Sequence, residues 1–472
     1  MRRFRLGWVG KLVGMLGKLY AKWMYAWETA LTTRDENRVE RPLEWGFEHL
    51  ADFGGDELGA KVASGEMTGL AAMLALNARI VADPHAFLDY KMPTDFRIEQ
   101  RFPELYPTNV RPETLEQERE WKRMAEVGEL RKVPYLRFTS AVRTPYPEND
   151  AVNARWYAEK QGIEHRGVED SEKQKQVLRS AQDDKSSRSR PKQAMIVMPQ
   201  WNADAFSHNA LCEMFNQFGI ASLRLSKPYH DVRRPAELER SDYAVSANVG
   251  RTIAACRQAV TDIRCCIDWL ESQGYEQVGV LGTSLGSAYT FIAAAMDPRI
   301  RVCAFNHAST QFGDVVWTGQ STRHVKSAFE HAGLTQDEVR QMFAGVSPMT
   351  YMEDFAETGE AQPPGLKPLL FNESLTDGLK PVPFKAGPDN GYALKRRVLV
   401  VHATYDLTFI RKYSLEVLEN FRARGVDFVS KVLPCGHYTT GEWPYKYLDG
   451  WFLGSFVWSS FKRLREASEE KQ

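Results

Sequence analysis

The sequence predicts an α/β protein in which a mostly parallel sheet has helices on both faces. Stretches of strand character recur along the chain, at residues 135–140, 152–158, 195–198, 221–225, 277–281, 302–306, 397–402 and 428–433. Helical patterns separate the later stretches, at residues 209–218, 249–271, 285–296 and 410–424. Apolar strands that alternate with helices form a parallel sheet with a helical layer on each side.

Three further regions flank or interrupt this pattern. Residues 1–130 alternate helical patterns with proline-rich connectors and are predicted to be an N-terminal helical extension of the domain at 131–472. Residues 170–192 contain no aromatic side chain and many charged ones, which predicts a disordered loop. A long connection follows the strand ending near Asn306 and predicts a lid insertion over 308–395, or alternatively a surface excursion.

Charge and cysteine content exclude several classes of protein. The 472 residues carry 61 basic and 61 acidic side chains, so no general attraction to nucleic acid is expected. No apolar run reaches the roughly 18 residues that a membrane-spanning helix requires. Six cysteines are too few for a disulfide framework in a chain of this length, which favours reduced thiols and a cytoplasmic location.

The first 27 residues have the pattern of an amphipathic helix. One helical face carries indole and aliphatic side chains, namely Trp8, Leu12, Leu16, Leu19, Trp23 and Trp27. Lys11, Lys18 and Lys22 gather on another face. Such a helix can lie in a membrane interface, with its ammonium groups near phosphates. The pattern predicts peripheral contact of residues 1–27 with the inner membrane face, or alternatively a helix packed on the protein's own core.

The sequence GTSLG at residues 282–286 lies between a predicted strand and a predicted helix. A serine at a sharp strand-to-helix turn is an exposed nucleophile, and the flanking glycines allow close approach of neighbouring backbone. The N-terminus of the following helix directs N–H groups and partial positive charge at an oxyanion beside the serine. Ser284 is therefore the predicted nucleophile, and the alternative is a glycine-rich turn with an incidental serine.

A serine nucleophile needs a base, and the base needs an orienting carboxylate. His437 follows the last predicted strand, at the carboxyl edge of the sheet, and is the predicted base. His208 and His230, in loops after earlier strands, are the alternative bases. Asp406 follows the preceding strand at the same edge and is the predicted acid, with Asp314 as the alternative.

The chain order Ser284, Asp406 and His437, with each residue in a loop after a strand, resembles the α/β-hydrolase superfamily over roughly residues 135–465. The segments PQWNADAF, LSKPYHDVRRP, GTSLGS and VWTGQSTRH resemble a group of bacterial α/β hydrolases that largely lack an assigned substrate. The resemblance implies an α/β-hydrolase catalytic domain with a nucleophile elbow at Ser284, a general base at His437 and an orienting acid at Asp406.

The superfamily also implies a second oxyanion donor from a loop after an earlier strand. That loop reads MPQWNAD at residues 198–204 and departs from the HGGG form. The backbone N–H of Gln200 or Trp201 is the predicted donor, beside the N–H of Leu285. Alternatively, Trp201 is an aromatic wall of the acyl pocket.

Two other features resemble binding sites. Residues 229–234 (YHDVRR) predict either an anion-binding loop or an exposed, salt-bridged loop. His402 and Asp406 are four residues apart, but they straddle a strand end, and no further His or Cys cluster completes a metal site. Neither a metal nor a cofactor is predicted.

These features predict a serine hydrolase that cleaves a small-molecule carboxylic ester through an acyl-enzyme. The insertion contains large apolar side chains expected to cover an acyl pocket, namely Trp317, Phe329, Met342, Phe343 and Tyr351. Together with the amphipathic N-terminal helix they favour a hydrophobic or lipid-like substrate. The alternatives are a serine peptidase of the prolyl-oligopeptidase or aminopeptidase kind, and a membrane-associated interaction protein in which the hydrolase fold is degenerate.

Overall fold

A computed structural model describes residues 2–108, 112–159, 191–360 and 395–469 of the chain. Of the predicted disordered loop at 170–192, all but the last two positions lie outside the described residues. Residues 361–394 of the predicted lid at 308–395 also lie outside them.

Strands and helices alternate along the described chain. The strands are β1 (Arg97–Arg101), β2 (Val133–Thr139), β3 (Ala151–Tyr157), β4 (Lys192–Met198), β5 (Ala221–Leu225), β6 (Tyr275–Thr283), β7 (Ile300–Asn306), β8 (Arg397–Ala403) and β9 (Phe428–Leu433). The α-helices before β6 are α1 (Arg2–Thr33), α2 (Gly55–Ala63), α3 (Gly69–Ala82), α4 (Pro84–Phe87), α5 (Pro112–Glu126), α6 (Pro147–Asp150), α7 (Asn209–Gln217) and α8 (Val249–Ser272). The later ones are α9 (Leu285–Met296), α10 (Phe312–Thr318), α11 (Arg323–His331), α12 (Gln336–Met342), α13 (Met352–Glu360), α14 (Arg411–Ala423) and α15 (Tyr445–Glu469). Short 3-10 helices lie at Phe47–Phe53, Asp231–Arg233, Asp242–Ala244, Gln320–Thr322, Ala344–Val346, Pro348–Tyr351 and Thr439–Gly441.

The strands form one sheet in the order β1-β2-β3-β5-β4-β6-β7-β8-β9. From β5 to β9 all neighbours are parallel, whereas β1, β2 and β3 pair antiparallel at one side of the sheet. The mostly parallel sheet predicted from the sequence is confirmed. Because β4 and β6 to β9 run in the same direction, the loops that follow them emerge at one edge of the sheet.

The sheet is buried on both faces. In β4, Ala194 and Ile196 belong to the hydrophobic core on one face, and Met195 and Val197 belong to the core on the other. Successive side chains of a strand point to opposite faces, so a strand covered on both sides is apolar at every position. This explains why the central strands are continuous apolar runs in the sequence.

The N-terminal residues share this core. Leu58 of α2, Leu76 of α3 and Phe87 of α4 are buried in the same cluster as the sheet. The region predicted to be a helical extension also supplies β1, an edge strand with the polar sequence RIEQR. Its polarity suits the edge of a sheet and gives little strand signal in a sequence.

The described side chains of helix α1, from residue 14 onwards, have two kinds of surroundings. In its second half Met24, Glu28 and Thr32 are fully buried at four-residue spacing, which places them on one helical face. In its first half Leu16 is 55% exposed, and Trp23, just before the buried residues, is 52% exposed. Both alternatives predicted for this helix therefore have a structural counterpart. None of the described helices has the length and apolar character needed to cross a bilayer.

Candidate active site

Ser284 occupies the turn between β6 and α9. Its φ of 57° and ψ of −120° are unusual for a residue with a side chain, and such strained residues cluster at functional sites. The flanking glycines permit the turn. A Cβ at Gly282 would lie 2.2 Å from Thr290 Oγ1, and a Cβ at Gly286 would lie 2.3 Å from the Met198 carbonyl oxygen. The sequence therefore builds a serine-bearing turn that larger residues would block.

The structure brings Ser284, His437 and Asp406 together. His437 Nε2 lies 2.9 Å from Ser284 Oγ, and His437 Nδ1 lies 2.9 Å from Asp406 Oδ2. The other carboxylate oxygen, Oδ1, accepts the backbone N–H groups of Thr408 at 2.8 Å and Phe409 at 2.7 Å. The carboxylate is thus fixed by its own loop, and the imidazole has one nitrogen at the acid and the other at the serine.

Electrostatics favour the ionised acid and a basic imidazole. Burial alone would raise the pKa of Asp406, but attraction to His437 and hydrogen bonds from His307 and His437 hold that pKa well below its ordinary value. Burial alone would lower the pKa of His437, but the Asp406 charge and hydrogen bond outweigh it and raise that pKa. His437 is therefore better able to accept the Ser284 proton than an isolated imidazole.

A second histidine, His307, shares the same carboxylate. It directly follows β7, and its Nδ1 lies 3.0 Å from Asp406 Oδ2. Its ring centroid is 4.5 Å from that of His437. Burial and the neighbouring His437 lower the pKa of His307, which favours its neutral form with a proton on Nδ1. His307 was not predicted from the sequence, although its place directly after a strand at the same sheet edge is a usable signal.

These three side chains also form a group in which metal-ligand atoms come close together. Single ligand atoms of His307, Asp406 and His437 all lie within 4.8 Å of one another. Each imidazole Nδ1 is hydrogen-bonded to Asp406 Oδ2. As arranged, the group can orient imidazole protons towards a carboxylate, which suits general-base catalysis at Ser284.

The loop after β4 lies against the serine turn. The close approach of Gly286 to the Met198 carbonyl oxygen places the start of α9 beside this loop. The predicted oxyanion donors Leu285, Gln200 and Trp201 all line the same cavity as Ser284. The indole Nε1 of Trp201 donates to the Ser241 carbonyl oxygen at 2.9 Å, which fixes its ring.

Buried side chains from the loop after β5 hold this loop in place. Lys227 Nζ donates to the Gln200 carbonyl oxygen at 2.9 Å, and the Asn202 N–H donates to His230 Nε2 at 3.1 Å. His230 Nδ1 in turn donates to the Pro228 carbonyl oxygen at 2.8 Å. Burial lowers the pKa of Lys227 to about 7. Lys227 and His230 therefore hold the predicted oxyanion loop in place through hydrogen bonds to its backbone.

The segment at 229–234 differs from both predicted forms. Arg233 is fully buried, with its guanidinium 2.9 Å from Asp262 and donating to the Asn149 carbonyl oxygen. Asp231 is paired with Arg224 at 2.5 Å in the interior. The loop is salt-bridged as predicted, but these ion pairs are buried and not exposed. Arg233 is occupied by protein partners and not by an external anion. Two buried ion pairs therefore stabilise the loop that contains Lys227 and His230.

The alternative bases and acid have other partners. His208 Nε2 lies 2.9 Å from Thr283 Oγ1, and His230 serves the loop after β4. Asp314 is paired with Arg340 Nε at 3.0 Å. His437 and Asp406, not these residues, are joined to Ser284.

A cavity of about 430 Å³ opens above Ser284. Its apolar walls include side chains from the elbow, from α10 and from the Asp406 loop, namely Leu285, Phe312, Val315, Val316 and Phe409. Charged side chains also line it, among them Arg34, Arg240, Lys446 and Asp449. The cavity is therefore amphipathic.

The apolar pocket predicted from the insertion is wrong in its residues. Phe329, Met342, Phe343 and Tyr351 are fully buried in the hydrophobic core, and Trp317 packs against that core. None of these five is among the described residues that line the cavity. The insertion contributes through α10 instead, because the larger side chains are needed to attach its helices to the sheet.

Asp449, near the start of α15, lines the cavity. It was not predicted from the sequence. Its Oδ2 accepts the Asn306 side-chain amide at 2.8 Å, and Asn306 is the residue whose backbone oxygen accepts the Ser284 N–H. Burial raises the pKa of Asp449 to about 7. An aspartate within a terminal helix gives no sequence signal of this placement.

Comparison with known proteins is consistent with this architecture. A family model described as "Alpha/beta hydrolase domain containing 18" matches residues 206–325. Over 106 residues the chain is 31% identical to an uncharacterized 31.7 kDa protein of the traX-finO intergenic region of Escherichia coli. The match covers 21% of this chain, and the chain spans only 36% of the length of the curated relatives it matches.

Solved structures with a similar chain path have low sequence identity. Acetyl xylan esterase 1 of Thermoanaerobacterium sp. is 11% identical, with a TM-score of 0.46 over 80% of this chain and 93% of that one. Acylaminoacyl peptidase of Pyrococcus horikoshii is 9% identical, with a TM-score of 0.43 over 69% of this chain and 46% of that one. The sheet and the serine-bearing turn define an α/β-hydrolase fold. The family model that matches residues 206–325 is likewise one of an α/β-hydrolase domain.

Proposed function

We propose that this protein is a serine hydrolase that cleaves carboxylic esters through an acyl-enzyme intermediate. The observation that carries the proposal is the continuous hydrogen-bond succession from Ser284 Oγ through His437 to Asp406, with 2.9 Å at each step. A serine hydroxyl is a poor nucleophile at neutral pH, and such a succession activates it.

The proposed reaction proceeds in two halves. Ser284 Oγ attacks the ester carbonyl carbon while its proton passes to His437 Nε2. The N–H of Leu285 and that of Gln200 or Trp201 stabilise the resulting oxyanion, by about 3 kcal/mol per donor. The intermediate expels the alcohol, which takes the proton from His437. Water then attacks the acyl-enzyme by the same route and releases the carboxylic acid and free Ser284.

The proposed substrate is a hydrophobic or lipid-like ester. The apolar cavity walls from Phe312, Val315, Val316 and Phe409 suit an acyl chain, because burial of each methylene contributes about 0.8 kcal/mol. Exposed side chains of α1 add a second apolar surface, which includes Leu16 and Leu19.

Residues 1–27 are proposed to make peripheral contact with a membrane at its inner, cytoplasmic face. Exposed apolar side chains are costly in water, and on α1 they occur beside the exposed ammonium groups of Lys18 and Lys22. Exposed aromatic side chains also occur on α15, where Trp451 is 70% exposed. Indoles and lysines together are the composition that an anionic lipid surface attracts.

The central test is the replacement Ser284→Ala. We expect loss of p-nitrophenyl ester hydrolysis and of covalent labelling by a fluorophosphonate, because the attacking oxygen is removed. Thr29→Ala, on the exposed side of α1, is the control and should leave both readouts unchanged. Undiminished turnover in Ser284→Ala would contradict the proposal.

A peptidase is the second candidate function. The charged cavity residues Arg34, Arg240, Lys446 and Asp449 favour it, because they could receive the charged end of a peptide. Comparing kcat/KM on aminoacyl amides and on acyl esters separates the two functions. Absence of fluorophosphonate labelling in the wild-type protein would favour a third possibility, a catalytically degenerate, membrane-associated interaction protein.

A further inference from the structure

The buried face of α1 packs against the loop that carries His437. Met24 and Glu28 contact residues on this loop, and the hydroxyl of Tyr20 donates to the Pro434 carbonyl oxygen. Tyr20 also shares a hydrogen bond of 2.7 Å with Tyr445 at the start of α15. Helix α1 therefore contacts directly the loop that carries His437, the predicted base.

The carboxylate of Glu28 is fully buried and is occupied by this loop. It accepts the Tyr438 N–H at 2.8 Å and the Thr439 N–H at 3.0 Å. It also accepts the Thr439 hydroxyl at 3.1 Å. Hydrogen bonds to a charged acceptor are stronger than those to a neutral one, so this carboxylate is a firm anchor for the backbone that follows His437.

The residue before His437 is fitted to the same carboxylate. A Cβ at Gly436 would lie 2.3 Å from Glu28 Oε2, which is shorter than any real contact. Gly436 N–H also donates to Thr439 Oγ1 at 2.6 Å, so the loop closes on itself around the carboxylate. Glu28 thus contacts the chain on both sides of His437 and leaves the imidazole at the centre of the anchored turn.

We propose that Glu28 is a positioning residue that holds His437 in line with Ser284. The inference rests on the proposed function. Glu28 touches neither Ser284 nor the cavity, so it acts through the loop backbone. A displacement of about 1 Å in a catalytic group can lower a rate by about 10²-fold, so an anchor on both sides of the base has a large effect on kcat.

The charge of Glu28 acts in the same direction. Burial raises the pKa of Glu28, and the Tyr438 and Thr439 N–H groups oppose that rise. Titratable groups near it are His437, Asp406 and the Cys435 thiol. Ionised Glu28 favours the imidazolium that His437 becomes when it takes the serine proton. An anion here therefore stabilises the transition state as well as the loop.

The test replaces Glu28 by glutamine in the full chain. The amide keeps the size of the side chain but directs an NH₂ group at backbone N–H donors, so the loop loses part of its anchor. We expect kcat for a p-nitrophenyl ester to fall ten- to a hundredfold while KM stays within twofold. The rate of fluorophosphonate labelling should fall by the same factor, because attack by Ser284 depends on His437.

Glu419→Gln, an exposed glutamate on α14, is the matched control and should leave kcat unchanged. Gly436→Ala is the second variant, because its Cβ displaces the Glu28 carboxylate without removing it, and it should also lower kcat with KM preserved. It decides the matter if Glu28→Gln does not fold. Wild-type kcat in a folded Glu28→Gln or Gly436→Ala protein would overturn the role of Glu28. If the wild-type protein is not labelled at all, the proposed function fails first and independently of these variants.

Discussion

The two loops that flank Ser284 are held by opposite charges. The His437 loop is anchored by a carboxylate, Glu28, that accepts backbone N–H groups. The loop after β4, which is proposed to supply an oxyanion donor, is anchored by the side-chain amino group of Lys227, which donates to the Gln200 carbonyl oxygen. In both cases a buried ion is matched to backbone groups of opposite polarity, which a buried ion needs because burial alone is costly.

The two anchors differ in how far along the chain they come from. Lys227 is 27 residues from its partner and belongs to the loop of the neighbouring strand. Glu28 is 410 residues from Tyr438 and belongs to the first helix. The loop after β4 is therefore held by a local contact, whereas the His437 loop depends on contact with a helix about 410 residues earlier in the chain. Changes to α1 should affect proton transfer and leave the oxyanion loop intact.

The largest fall in kcat is expected from Asp406→Asn, which removes the carboxylate of the predicted acid. The asparagine favours the wrong imidazole tautomer, so kcat should fall by about 10⁴-fold. The Asp406 charge raises the pKa of His437, and its loss leaves burial to lower that pKa. The acid limb of the profile of kcat/KM against pH should therefore move to lower pH. A limb that stays in place or moves to higher pH would contradict the assignment of Asp406.

A smaller effect is expected from Lys227→Met, which releases the oxyanion loop and leaves the His437 loop anchored. We expect kcat to fall about tenfold, less than loss of a direct oxyanion donor. The pH profile should keep its acid limb, because His437 is untouched. An equal shift of that limb in Lys227→Met and in Glu28→Gln would show that the two anchors are not independent.

The same variant makes a prediction about stability. The pKa of Lys227 is lowered from 10.5 to about 7 in the folded protein, so between these values the unfolded chain binds more protons. Its contribution to the free energy of unfolding therefore rises as the pH increases from about 7 towards 10. Urea unfolding at several pH values should show this rise in wild-type minus Lys227→Met. A flat difference would mean that Lys227 titrates normally.

The smallest effect on catalysis is expected from substitutions of the exposed apolar side chains of α1. Replacing Leu16, Leu19 and Trp23 by serine leaves the buried face with Glu28 unchanged, so kcat for a water-soluble ester should stay within twofold. Sedimentation with anionic liposomes should fall severalfold, because apolar burial in the interface is lost. Unchanged sedimentation would contradict the proposed membrane contact. A large fall in kcat would show that the exposed apolar side chains of α1 affect catalysis together with its buried face.

The sequence predicted the parallel sheet and the positions of Ser284, Asp406 and His437 relative to its edge. These predictions rest on local signals, because a doubly buried strand is apolar throughout and the residues of interest directly follow such strands. Strand β1 was not predicted, because an edge strand needs no apolar pattern.

The anchors could not be predicted in the same way. Glu28 and Lys227 have partners that are defined only by the folded chain, and a buried glutamate has the same sequence signature as an exposed one. The large apolar residues of the insertion, such as Phe329 and Phe343, were assigned to a pocket although they form core. Hydrophobicity in a sequence indicates that a side chain is buried. It does not distinguish a side chain that lines a cavity from one that packs in the hydrophobic core.

The hydrogen bond between Tyr20 and Tyr445 joins the first helix to the last. Domains begin to fold from their N-termini while the ribosome is still adding residues. The turn with Ser284 is synthesised before both the loop with His437 and helix α15. Ser284 therefore meets its predicted base, His437, only after 153 further residues have been synthesised.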